Sequence, residues 1–369
     1  MTDVRAEPRE SRLSPGIRRA VRIALLVGGV VLALTAIWWR GPDWGVVRSA
    51  IELAIWRWIA FAFVLNLFSC LFRALSWRLT ISQALPPPQP RYADVLSAFG
   101  VGLFANTVLP GRLGELARVA TLRRHMPQGQ GTSATLLGTV FAHRLFDLVP
   151  ATLLVVWVLF TARVPHWAVT SFLIAGAIGF ALFAVALLGA RRHDRSVMRE
   201  GMGTFGRLLA MARQGLSVLN APLVALGAIA LQCLGWLMQL LAVFVAMRGF
   251  GIDAPLPAAG LVLVLMNVAT IFPLWPGNVG LVQAAVALPL RAYGVPYAIG
   301  FAYGIVLQLL EMSVGVGLGL VAFGHEGVSL ATLRRFSDEE EQDSEENVVE
   351  EVHELIEELD HASGAPLPR

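Results

Sequence analysis

Six stretches of this chain run without charge, or nearly so, for long enough to cross a lipid bilayer, and no other feature restricts the fold as strongly. About 20 consecutive apolar residues span the hydrocarbon core as a helix. The pattern predicts spans at 23–39, 54–72, 133–160, 167–189, 221–246 and 297–323. Glu52 and Arg57 stand at the start of the second, where they can snorkel to the interface. The first follows a basic segment, as a signal peptide would. Its apolar run is long, however, and Trp38-Trp39 replaces a small-residue cleavage site, so it reads as an uncleaved anchor. Composition agrees, with 56% hydrophobic residues, 15% charged and a mean hydropathy of +0.64. Soluble domains sit nearer about 45–50% apolar and about 25% charged.

Two further apolar segments, 93–123 and 257–291, are each broken at the centre, by Pro110-Gly111 and by Pro276-Gly277. A Pro-Gly pair marks a turn, and proline removes a helical N–H. Each half is too short to cross, so both segments read as re-entrant helical hairpins. Broken backbone at membrane depth is tolerated only when it is buried in protein or lines a wet cavity. The fold class expected is therefore an all-α polytopic membrane protein, with about six full transmembrane helices and two re-entrant hairpins.

Charge orients the spans. The basic residues other than histidine are all arginine, and residues 1–337 hold 28 of them against 13 acids. The other 13 acids fall within 338–360. With both termini inside, 20 arginines lie on the inner side, counting Arg73, Arg118 and the 191–213 loop, and six on the outer. This satisfies the positive-inside rule, and several tryptophans, among them Trp38, Trp44 and Trp157, fall at the outer interface. A basic body suits anionic lipid head groups as well as nucleic acid, but the apolar bulk favours lipid. Cys70 and Cys233, in apolar runs, read as small hydrophobic residues; no disulfide framework, metal cluster or cofactor site is expected.

The pattern Pro110-Gly111-x-x-Gly114 recurs 166 residues later as Pro276-Gly277-x-x-Gly280. Each copy reads span, Pro-rich loop, broken hairpin, span, over 54–160 and 221–323. In the predicted topology the two hairpins enter from opposite sides, which makes the repeat inverted, a plan that recurs in transporters. The domain plan is a basic segment 1–22, a membrane domain 23–323 and an acidic tail 324–369.

Charges stand at the middle of two spans. Arg144 and Asp147, beside His143, lie at the centre of 133–160, three residues apart and thus on one helix face. Gln308 and Glu311 lie at the centre of 297–323. A charge at that depth costs about 2.5–3.5 kcal/mol even on the lenient insertion scale. Such groups face a cavity or a partner; a self-satisfied structural ion pair also accounts for Arg144 and Asp147. The first hairpin turn adds Asn106, Arg112, Glu115 and Arg118, and a helix restarting there aims free N–H groups at an anion. Simpler roles are open to three of these: Asn106 as a cap, Glu115 as a first-turn acid stabilised by the helix dipole, and Arg118 as an interface anchor. The second turn offers Asn278 and Gln283. Gly315, Gly317 and Gly319 suit close helix packing.

The run from Gly102 through Asn106, Pro110-Gly111-Arg112, Gly114-Glu115 and Arg118 forms the first of four separated motifs. Arg144-x-x-Asp147, then Phe272-Pro273-x-x-Pro276-Gly277-x-x-Gly280, and the Arg73-x-x-x-Trp77-Arg78 end of the second span are the others. Together they resemble the flippase-like membrane family that includes the transmembrane domain of lysylphosphatidylglycerol synthase/flippase, over about 50–323. Gln283 stands where an acid is expected, and Gln308 where an arginine is common. The resemblance implies a lipid translocase in the cytoplasmic membrane of a bacterium, moving a lipid with a polar, anionic head group. Arg112 and Arg144 would engage phosphate; Glu115, Asp147 and Glu311 would meet a cationic group or carry a proton. No soluble aminoacyl-transferase domain accompanies these motifs, so the chain is not expected to be an enzyme of that kind. Alternatives are an intramembrane glycosyl- or phosphotransferase using a lipid-linked substrate, and a scaffold for cell-envelope enzymes. The partners expected are membrane lipids and no nucleic acid. Val348, Val352, Leu355 and Leu359 form a stripe that predicts an amphipathic helix at 347–360, a docking helix for a protein partner or a solvated tail.

Overall fold

A computed structural model describes residues 42–108, 114–126, 132–164, 221–271 and 278–326, with positions 28, 169 and 170. The expected spans at 23–39 and 167–189, both Pro-Gly turns with Arg112, the 191–213 loop and the acidic tail lie outside these residues. Every regular element among the described residues is a helix. Four helices are long and apolar enough to cross a membrane: α2 (Trp56–Ala84), α5 (Thr132–Thr161), α6 (Pro222–Gly249) and α9 (Tyr297–Glu326). They match the four expected spans that fall on described residues. At 28–30 residues each, they are about 42–45 Å long, enough for the hydrocarbon core and both head-group layers. Before them, α1 (Trp44–Glu52) starts at Asp43, whose Oδ1 accepts from Gly45 N at 2.9 Å and Val46 N at 3.2 Å. Glu52 ends this separate helix, paired with Arg48.

The two broken segments fold as helical hairpins. The first is α3 (Tyr92–Val108) with α4 (Gly114–Arg123), and the second α7 (Leu256–Ile271) with α8 (Leu281–Leu290). α3 and α4 lie antiparallel, with Gly102 against Gly114 and the Phe99 ring against Arg118. The tip is held by Asn106, whose Oδ1 accepts from Gly114 N at 2.9 Å. In the second hairpin Asn278, at φ +45°, donates from Nδ2 to the Ala269 carbonyl at 2.9 Å, and Gly280 adopts φ +91°, a left-handed conformation that suits glycine. The two motif glycines thus differ: Gly280 supplies a conformation, whereas Gly114 supplies close approach.

α2 runs antiparallel to α6, with Ile59 against Gly249, Ser69 against Gly235 and Ser76 Oγ donating to the Ala228 carbonyl at 2.8 Å. α5 runs parallel to α6, Phe146 packing against Ala225 and Ala228 and Asp147 bonding further along to Gln232 and Trp236. The first hairpin therefore begins and ends at the end of the bundle where α5 and α6 start, and the second at the opposite end. Each tip reaches only the middle of a long helix, Glu115 meeting Arg144 on α5 and Gln283 meeting Gln308 on α9. The packing is crosswise: α3 lies on α9 and α7 on α5. Gly319 permits the first contact, since a Cβ there would come within 2.4 Å of Phe104 Cβ. One apolar core surrounds each hairpin.

Among the arginines assigned to inner loops, Arg73 and Arg78 lie within α2 and Arg118 within α4. α2 continues to Ala84, past its expected end at 72, so Arg73 and Trp77 are helical and face the bundle. Arg118 is buried, its guanidinium stacked 4.6 Å from the Trp77 ring centre, so it is not an interface anchor. Arg73 and Arg118 each gain protein partners at these positions, Gln239 for the first and Glu115 with two aromatic rings for the second, which offsets part of the cost of leaving water.

Candidate functional site

Where the tip of the first hairpin meets the middle of α5, a pocket of about 50 Å³ is walled by charge: Arg73 from α2, Glu115 and Arg118 from α4, Arg144 and Asp147 from α5. Asn106 and His143 also line it. Glu115 is the hub. Its Oε1 accepts from Arg144 Nε at 2.9 Å and also from Arg144 Nη2, while its Oε2 lies 2.9 Å from Arg118 Nε. Arg144 Nη1 reaches Asp147 Oδ2 at 3.4 Å, the predicted same-face pair. Asp147 turns its other oxygen to α6, accepting from Trp236 Nε1 at 2.9 Å and from Gln232 Nε2.

The two main cations stand in different surroundings. The Arg118 side chain is 4% exposed and sandwiched between Trp77 and Phe99, with centroid distances of 4.6 and 5.8 Å. Trp77 is fixed in turn by donation from Nε1 to Thr139 Oγ1 at 3.1 Å. Arg144 is 52% exposed and faces the open side of the pocket. Four buried nitrogens around the pocket have no hydrogen-bond partner among the described residues: Arg73 Nε, Arg118 Nε and Nη2, and His143 Nδ1, though Arg118 Nε stands beside Glu115 as an ion pair. Buried polar atoms are ordinarily bonded, so unpaired donors that line a cavity fit an anion or water there.

The sequence-predicted residues divide in two. Asn106, Glu115, Arg118, Arg144 and Asp147 converge on this pocket. Glu311 is joined to it indirectly: its Oε1 accepts from Gln239 Nε2 at 3.0 Å, and Gln239 Oε1 accepts from Arg73 Nη2 at 2.6 Å. Gln283 and Gln308 bond to each other at the second hairpin, where Gln283 Oε1 also accepts from Gly280 N at 2.6 Å, and Asn278 serves the turn. Sequence reasoning did not select Arg73, His143, Gln232, Trp236 or Gln239 as site residues. A signal existed for two of them: Arg73 and Gln239 are 166 residues apart, the same offset as the two Pro-Gly turns.

A family model described as the lysylphosphatidylglycerol synthase TM region matches residues 21–319. A UPF0104 membrane protein of Methanothermobacter thermautotrophicus is 24% identical over 311 residues, 79% of this chain and 90% of its own. A UPF0104 membrane protein of Pyrococcus horikoshii is 26% identical over 128 residues, 34% of this chain and 36% of its own. No solved structure matches the chain.

Proposed function

Since the chain belongs to the lysylphosphatidylglycerol synthase transmembrane-region family, we propose that this multi-pass membrane protein is a lipid translocase for a lipid with an anionic, phosphate-bearing head group. The observation that carries the reading is the charge balance of the pocket. Three guanidiniums, those of Arg73, Arg118 and Arg144, line it with two carboxylates, those of Glu115 and Asp147. The excess of positive charge, with unpaired donors at Arg73 and Arg118, suits a phosphate, which arginine grips through two parallel N–H donors. Arg144 is the group free to exchange Glu115 for phosphate, being the exposed member. Glu115, Asp147 and Glu311 meet a cationic head-group moiety or carry a coupling proton.

In this reading the hairpins are re-entrant and the two halves form an inverted repeat. Entry from opposite ends of the bundle, crosswise packing and the recurring 166-residue offset support it. The arginine asymmetry supports cytoplasmic termini. The helix tips then meet near the bilayer midplane, where a head group in transit has to be stabilised.

Translocation of a fluorescent phosphatidylglycerol in proteoliposomes, read by chemical quenching of one leaflet, tests this. The protein should accelerate exchange, and Arg144→Met with Asp147→Leu should abolish it while insertion is retained. A double variant that translocates at the full rate would show that the pocket is not the route.

A further inference from the structure

A second cavity lies beside the first and differs from it in every chemical respect. It is a groove of about 210 Å³ between α5 and α6, lined by Pro150, Leu153 and Trp157 on one side and Cys233, Leu237 and Leu240 on the other. Its outer lip is exposed, Leu153 at 60% and Leu237 at 45%. The lining follows one face of each helix. Pro150 has no N–H to give the Phe146 carbonyl, which interrupts the α5 ladder where the groove begins.

Trp236 links groove to pocket. Trp236 lines the groove, donates from Nε1 to Asp147 Oδ1 at 2.9 Å, and carries the Arg73 guanidinium 5.1 Å from its ring centre. Asp147 and Arg73 both line the charged pocket. From Asp147 to Trp157 the helix rises about 15 Å, half of the roughly 30 Å hydrocarbon thickness. The groove thus runs from the middle of α5 toward its C-terminal end, over the depth of one leaflet.

We propose that this groove holds an acyl chain of the same lipid whose phosphate occupies the charged pocket. The inference rests on the lipid-binding part of the proposed function and adds a subsite, an entry route and a polarity. The groove opens sideways between α5 and α6, so the lipid enters laterally. With its head at Asp147 and its chain pointing to the C-terminal ends of α5 and α6, the lipid has the orientation of the leaflet at their N-terminal ends. Loading therefore occurs from that leaflet. Trp236 is the hinge of recognition, with its ring edge in the apolar groove and its N–H on the carboxylate.

The test uses two photoreactive lipids with the same mid-chain diazirine, one with a phosphatidylglycerol head and one with a phosphatidylcholine head, in proteoliposomes of the full chain. Cross-linked peptides are mapped by mass spectrometry. The phosphatidylglycerol probe should label 150–157 and 233–240 several-fold more than the phosphatidylcholine probe, and Arg144→Met with Asp147→Leu should remove that preference. Leu237→Trp fills the groove from an exposed position; it should cut the selective labelling while the melting temperature stays at the wild-type value. Equal labelling by both probes would mean bulk bilayer lipid and would overturn the proposal, as would cross-linking of the groove to a second copy of the chain. Selective labelling without translocation leaves the groove assignment standing and removes the translocase reading; translocation with unselective labelling does the reverse.

Discussion

Gly114→Ala tests the hairpin on which the site depends. A methyl group at this position lies 2.2 Å from the Gly102 carbonyl oxygen and 2.4 Å from Asn106 Cγ, whereas non-bonded carbons rest about 3.5–4.0 Å apart. Neither neighbour can turn aside freely. The Gly102 oxygen is backbone, and Asn106 is tied to Gly114 N by the bond that closes the tip. α3 and α4 must therefore separate by roughly 1 Å or more. Overpacking of this kind costs about 1–3 kcal/mol, and losing the Asn106 bond adds about 1 kcal/mol. The expected destabilisation is about 2–4 kcal/mol. Glu115 moves with Gly114, so translocation should fall even where the variant remains folded. Gly317→Ala is the control, because a Cβ there meets nothing within 4 Å, and alanine in a helix is favoured over glycine by about 1 kcal/mol. Thermal unfolding in detergent, followed by tryptophan fluorescence, reads both. If Gly114→Ala melts with the wild type, the close approach of α3 and α4 is refuted.

Three further outcomes are expected. Arg118→Ala should destabilise the protein by about 3–5 kcal/mol, because it empties the buried site between Trp77 and Phe99 and takes one of two cations from partly buried Glu115; the half-exposed Arg144→Ala should cost less stability yet lose translocation, and equal melting losses would refute the division of roles. Gln239→Leu removes two bonds to charged groups, each worth about 1.5–3 kcal/mol, and in a double-mutant cycle with Glu311→Leu the losses should be less than additive; additive losses would mean that the Arg73–Gln239–Glu311 chain carries no coupling. In a background of Cys70→Ala with Cys233→Ala, single cysteines at Arg91→Cys and Arg124→Cys should label from one face of the membrane and those at Asp253→Cys and Arg291→Cys from the other; labelling of 91 and 124 from opposite faces would make the first hairpin a plain span.

The long helices were legible because lipid imposes a single requirement, a run of apolar residues, that needs no knowledge of neighbours. The hairpins were legible because Pro-Gly breaks such a run at a definable place. The ends and the polar contacts between helices were not, for a common reason. Arg73 marks the end of a span if its charge must reach water, and it sits inside the bundle only because Gln239, 166 residues away, accepts from it. Arg118 likewise reads as an anchor until Trp77 and Phe99 are known to close over it. A charge near the end of an apolar run has two solutions, outward to the interface or inward to a partner, and hydropathy does not distinguish them. The repeat does. Under the proposed inverted repeat, Arg73 at the end of an apolar run and Gln239, 166 residues later, stand at equivalent positions, and they do bond. The amide then serves as adapter, accepting from the Arg73 guanidinium and donating to the Glu311 carboxylate. The same offset that separates the two Pro-Gly turns thus points to the contact that joins the charged pocket to the partly buried Glu311.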